Sequence, residues 1–109
     1  MKTAFALLAV SLGILLAGCA SAPNPITEPA VVEASCGQCL FGLKGKGGCD
    51  LAVRIDGKSY FVDGFTIAQF GDTHADDGMC NVVRKAKVTG EVRNGRFAAS
   101  TFEVLPVAR

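Results

Sequence analysis

Residues 50–62, DLAVRIDGKSYFV, decide the fold. Leu51, Val53 and Ile55 alternate with Ala52 and Arg54, which is the period of a strand whose two faces differ. Lys58, Tyr60 and Val62 then alternate with Ser59 and Phe61. Between the two runs stands Asp56-Gly57. A two-residue hairpin loop needs positive φ at both central positions, and Asp-Gly tolerates that better than almost any other pair. The stretch predicts a tight β-hairpin.

Outward from it, residues 85–104, KAKVTGEVRNGRFAASTFEV, repeat the pattern. Lys85, Lys87, Thr89 and Glu91 alternate with Ala86, Val88, Gly90 and Val92. Asn94-Gly95 supplies the turn. Phe97, Ala99, Thr101 and Glu103 then alternate with Ala98, Ser100, Phe102 and Val104. Pro106 stops the last strand. A first strand is expected over Cys39 to Lys44, with the glycine-rich Gly45 to Gly48 as a loop. Between the hairpins, Asp63-Gly64 is a turn and Thr66 to Phe70 suits a short helix. Gly71 to Gly78 is a polar loop, with a helical option over Ala75 to Cys80. Five strands interrupted after the third predict a mainly β fold. The expectation is a small five-stranded antiparallel OB-like barrel with a short helical or loop insert between strands three and four. An open antiparallel sheet with one face covered by the insert is the alternative.

The chain begins differently. Met1-Lys2 is a short positive start, and Ala4 to Leu16 is an apolar run too short to remain as a spanning helix. It ends in Leu16-Ala17-Gly18-Cys19, which resembles the bacterial lipobox. That resemblance implies cleavage before Cys19 and acyl chains on its thiol. Each buried methylene contributes about 0.8 kcal/mol, so one chain holds only marginally and two or three hold firmly. Ala20 follows Cys19 in place of Asp. In a didermal host this implies the outer membrane, on its periplasmic face. Residues 1–18 are therefore expected to be a lipoprotein signal peptide. Residues 19–34, with Pro23, Pro25 and Pro29, are expected to be the lipidated cysteine and a flexible tether. Residues 35–109 are expected to form one small cysteine-containing β domain.

The composition excludes several functions. Eleven Lys and Arg stand against ten Asp and Glu, which leaves no electrostatic footprint for nucleic acid. There is no Trp and one Tyr, so a stacking platform has little to build on. No phosphate loop, nucleophile elbow or helix-borne His pair is present. No catalytic set assembles from the sequence, and a non-enzymatic envelope protein is the expectation.

Four cysteines remain beyond Cys19: Cys36, Cys39, Cys49 and Cys80. Three chemistries fit them. An oxidising compartment and a small domain favour two structural disulfides, each closing a long loop and contributing about 2–4 kcal/mol. Such a stapled domain would present a surface to an envelope protein or a small ligand. The Cys36-x-x-Cys39 spacing also forms half of a metal knuckle. Cys49 and Cys80 would complete a tetrahedral thiolate site for zinc or copper(I), with His74 as a further ligand. Thiol redox exchange through Cys36 and Cys39 is the third reading, and the glycine-rich residues that follow are poor material for its activating helix. Cys39 is followed by Leu40 and not His, which excludes c-type haem attachment. Asp72, His74, Asp76 and Asp77 share one polar loop. That loop lacks the Glu of a calcium-binding hand and reads as a solvated turn.

The strings CGQCLFGLKGKGGCDLAVRIDGKSYFVDG, DGMCNVVRKAKVTGEV and NGRFAASTFEV resemble a family of small exported four-cysteine bacterial proteins of unknown function, from Ser35 to Leu105. The resemblance implies that the four cysteines and their neighbouring glycines form one module. It implies no activity.

Overall fold

The computed structural model describes residues 22–45 and 47–107. The signal segment and Cys19 lie outside the described residues. Five strands form a closed barrel in the order β1-β2-β3-β5-β4, with β1 pairing back onto β4. They are β1 (Ile26–Cys36), β2 (Leu51–Ile55), β3 (Lys58–Asp63), β4 (Arg84–Arg93) and β5 (Arg96–Val104). One helical turn, α1 (Gly37–Leu40), follows β1, and a 3-10 turn (Ile67–Phe70) follows β3. No helix among the described residues is long and apolar enough to cross a membrane.

Both hairpins form at the expected turns. Asp56 and Gly57 have φ of 52° and 83°, and Asn94 and Gly95 have 53° and 76°, so all four central positions are left-handed as the turn demands. Ile55 then pairs with Lys58, and Arg93 with Arg96. Leu51, Val53 and Ile55 point into the core with Val62, Ala86, Val88, Phe97 and Phe102.

The sheet is mixed, which corrects the expectation of a purely antiparallel barrel. β3 and β5 run parallel, joined by the pairs Val62↔Phe97 and Asp63↔Ala98. Reversing one neighbour is what allows the two hairpins to meet and close the wall without a free edge. The first strand also differs. Cys39 to Lys44 is not a strand; β1 occupies Ile26–Cys36 and so takes in residues 26–34 of the expected tether. Its two fully buried core residues, Ala34 and Cys36, are small, and Ile26 and Val32 pack against the core half-buried. Pro29 falls in the irregular stretch of the β1–β4 ladder between Ile26 and Ala30, where a residue with no N–H is tolerated.

β5 departs from strict alternation. Phe97 and Phe102 stand on opposite faces if the period is unbroken, yet both are buried. The register shifts between Thr89 and Gly90: Thr89 pairs with Thr101, and Gly90 with Ala99, so Ser100 is the extra residue. That bulge turns the second half of β5 over. Gly90 has φ 150°, and a Cβ there would run into the Ala98 carbonyl and the Phe97 ring. Only glycine fits.

The insert between β3 and β4 is mostly turn. Thr66 and Gln69 form a reciprocal capping box on the 3-10 turn. Ala75 to Cys80 is not helical: Gly78 N–H donates to Ala75 O, and Asn81 and Val82 N–H both donate to Gly78 O. Ile67 and Met79 bury their side chains and dock this segment on the barrel.

Candidate metal centre

The four cysteines come from four places in the chain and meet at one end of the barrel. That end is where β1 finishes and β2 and β4 begin, as the pairs Cys36↔Leu51 and Ala34↔Arg84 show. Cys36 is the last residue of β1, and Cys39 lies in α1. Cys49 is two residues before β2, and Cys80 is carried by the insert. Their Sγ atoms all lie within 4.8 Å of one another. Four sulfurs bound at about 2.3 Å to one tetrahedral ion would lie about 3.8 Å apart. Two of the distances here are 2.7 Å and none exceeds 4.8 Å, a range that brackets that spacing.

Local hydrogen bonds explain why these segments converge. Cys36 N–H donates to Met79 O (3.0 Å), which brings the residue next to Cys80 against the end of β1. The buried Ser35 hydroxyl donates to the same oxygen (2.6 Å). Gly37 N–H donates to Asp50 O (2.8 Å), which fixes the residue after Cys49. The Gln38 side chain closes the loop from both sides. Its amide N–H donates to Asp50 Oδ2 (2.7 Å), and its carbonyl accepts from Asp50 N–H (2.9 Å). Gly37 must be glycine, because a Cβ would stand 2.6 Å from the Phe61 ring and 3.1 Å from Ala52 Cβ. Past α1, the Arg54 guanidinium sits 4.3 Å over the Phe41 ring and ties the turn to β2.

The electrostatics separate the sulfurs. Burial opposes ionisation of Cys36, but donation to its sulfur from the Cys49 thiol, the Cys39 N–H and thiol, and the Gln38 N–H holds it below the ordinary thiol value. N–H groups from the second and third residues after a cysteine, aimed at its sulfur, stabilise the thiolate a metal requires. Cys39 is pushed up to about 11, chiefly because its thiol donates to Cys36. Cys49 is pushed up further by burial and by the neighbouring Cys36 and Cys80 sulfurs.

No disulfide joins these four cysteines in the structure. All four cysteines are free thiols. Cys49 Sγ lies 2.7 Å from both Cys36 Sγ and Cys80 Sγ, so the cluster holds no distinct pair. The arrangement argues against redox exchange. A thiol that opens exchange is both exposed and acidified. Here the acidified thiol, Cys36, is buried, and the exposed one, Cys39, is raised. Four residues of α1 do place Cys36 at an N-cap, but one turn is too short for the activating helix.

His74 stands outside the sulfur group among the described residues. It is exposed, and its N–H donates to Asp72 Oδ1 (2.9 Å) in a side-chain-closed turn. Asn81 Nδ2 donates to His74 O and Ala75 O and fixes that loop. The residues that sequence reasoning missed are Ser35, Gln38 and Met79, which position the sulfurs. Of these only Gln38 carried a signal, its place inside Cys-x-x-Cys.

A small closed β-barrel with four convergent thiols at one end is the class of protein that fold and site define. Over residues 30–105 the chain matches the model of the family of unknown function DUF6370, and it belongs to that family. No curated protein and no solved structure matches it.

Proposed function

We propose that this chain is a non-enzymatic metal-binding module, a membrane-anchored lipoprotein of the bacterial envelope whose barrel holds one ion between Cys36, Cys39, Cys49 and Cys80. The observation that carries the reading is the convergence of four thiols within 4.8 Å of one another. A set of four thiolates, with no competing carboxylate or imidazole in the group, suits zinc. Copper(I) is the second reading, since soft sulfur ligands also suit it.

The barrel itself is read as OB-like. What supports this is the order β1-β2-β3-β5-β4 and the insert between β3 and β4. The anchor is read from Leu16-Ala17-Gly18-Cys19. Cys19→Ser is expected to move the protein from the membrane fraction to the soluble fraction; unchanged partition would remove the anchor.

X-ray absorption on the zinc-loaded full chain tests the metal reading. Four sulfur scatterers at about 2.3 Å are expected. A shell dominated by nitrogen or oxygen would refute the assignment. Competition between zinc and copper(I), followed by metal analysis, decides which ion the site prefers.

A further inference from the structure

The four sulfurs are not equally enclosed. Cys36 is part of the buried core, and Cys49 and Cys80 pack against it. Cys39 does not pack there and is exposed. Its neighbour Leu40 is also exposed. The opening is a matter of position and not of slack. Gln38 beside it is bonded twice to Asp50, and Phe41 is held under Arg54. Cys36 is therefore buried, Cys49 and Cys80 are half-buried, and Cys39 is the exposed member of the group. Exposure is what makes a cysteine sulfur reachable by a group from outside.

We infer that Cys39 is the exchange ligand, the sulfur through which a bound ion passes to or from a thiolate- or imidazole-bearing acceptor. The inference rests on the metal reading above. In the step, a donor atom of the acceptor approaches at the exposed Cys39. A metal–acceptor bond forms as the metal–Cys39 bond breaks, and Cys39 leaves as a thiolate that takes a proton from water. The ion keeps its oxidation state, so no oxidant or reductant enters. Cys36, Cys49 and Cys80 hold the ion until the acceptor has engaged. The function this implies is metal hand-over at the envelope, beyond storage or stapling.

The test uses the full chain, recovered from membranes in detergent and loaded with zinc. Zinc per chain is counted first. The loaded protein is then treated with N-ethylmaleimide, and modified cysteines are located by peptide mass. Cys39 is expected to react first, with zinc released as it does. Simultaneous reaction of all four, or Cys39 reacting last, would overturn the inference. Transfer to 4-(2-pyridylazo)resorcinol provides the second readout. Cys39→Ser is expected to retain one zinc per chain and to release it about 10-fold faster or more, while Cys49→Ser retains none. A folded Cys39→Ser protein as empty as Cys49→Ser would overturn the inference. If Cys39→Ser does not fold, the maleimide order alone decides. A wild-type chain that takes up no zinc refutes the metal reading itself, and the exchange role with it.

Discussion

The barrel wall and its cysteine end are built by different forces. The wall is held by strand pairing around Leu51, Val53, Val88, Phe97 and Phe102, an apolar interior stabilised by removal from water. The cysteine end is three loop segments joined by a few hydrogen bonds: Cys36 to Met79, Gly37 to Asp50, and the Gln38 clamp. The difference teaches that the wall and the cysteine end can be perturbed separately, and that the four thiols gathered at that end could bind a metal ion.

The most damaging way to break the comparison is through the wall. Phe97 is fully buried at the centre of the core. Phe97→Ala is expected to remove about 3–5 kcal/mol. In a domain this small that is most of the net stability, so thermal melting should lose its cooperative transition and metal binding should go with it. A variant that melts like wild type would show that the wall does not carry the fold.

Cys49→Ser addresses the other region. Cys49 touches two other sulfurs, and its loss should abolish metal binding while the hairpins remain. With free zinc at a hundred times the dissociation constant, the wild-type chain should gain about 2.7 kcal/mol in denaturant melts, and the variant nothing. Equal gains in both would place the ion elsewhere.

Gly90→Val separates the two regions. The bulge in β5 leaves no room for a side chain at that position, so a loss of about 1–3 kcal/mol is expected from overpacking. Gly90 is remote in sequence from all four cysteines. The folded fraction should bind zinc with wild-type stoichiometry. Lost stoichiometry at full folding would join the two regions that the comparison separates.

The smallest effect is in pH. The raised thiols Cys39 and Cys49 keep their protons in the folded metal-free protein after the unfolded chain, near the ordinary value of 9.0, has released them. The Cys39 contribution is present below pH 9 and is lost as pH rises toward 11, and that of Cys49, raised further, falls over the same range and beyond it. Cys36 acts in the opposite sense, because its lowered value favours the folded state as its thiol ionises. With two raised groups against one lowered, the metal-free protein should lose stability between those pH values. The loaded protein, whose sulfurs are already thiolates, should not. Denaturant midpoints measured with and without chelator across that range check this; parallel curves would contradict it.

The two regions were also unequally legible in the sequence. Asp56-Gly57 and Asn94-Gly95 reveal the hairpins because few residue pairs tolerate two successive positive φ values. β1 was hidden because Ala30, Ala34 and Ser35 carry little hydrophobic signal and Pro29 suggests a tether. The parallel β3–β5 contact and the bulge at Ser100 depend on barrel closure, which no local pattern encodes. The cysteines were visible as residue types, and Cys36 and Cys39 as a pair. That Cys80 joins them follows from the long-range bond between Cys36 and Met79, and His74 stays apart because Asp72 and Asn81 fix its loop on the surface.

The central claim is that the four cysteines hold an ion. Its most direct test is the intact mass of the purified protein, recorded under native and denaturing conditions with thiol alkylation. The account predicts native mass exceeding the denatured mass by one metal ion, with Cys36, Cys39, Cys49 and Cys80 all alkylated once the protein is unfolded. A mass short by four protons, with no ion and four unreactive cysteines, would mean two disulfides and would contradict it.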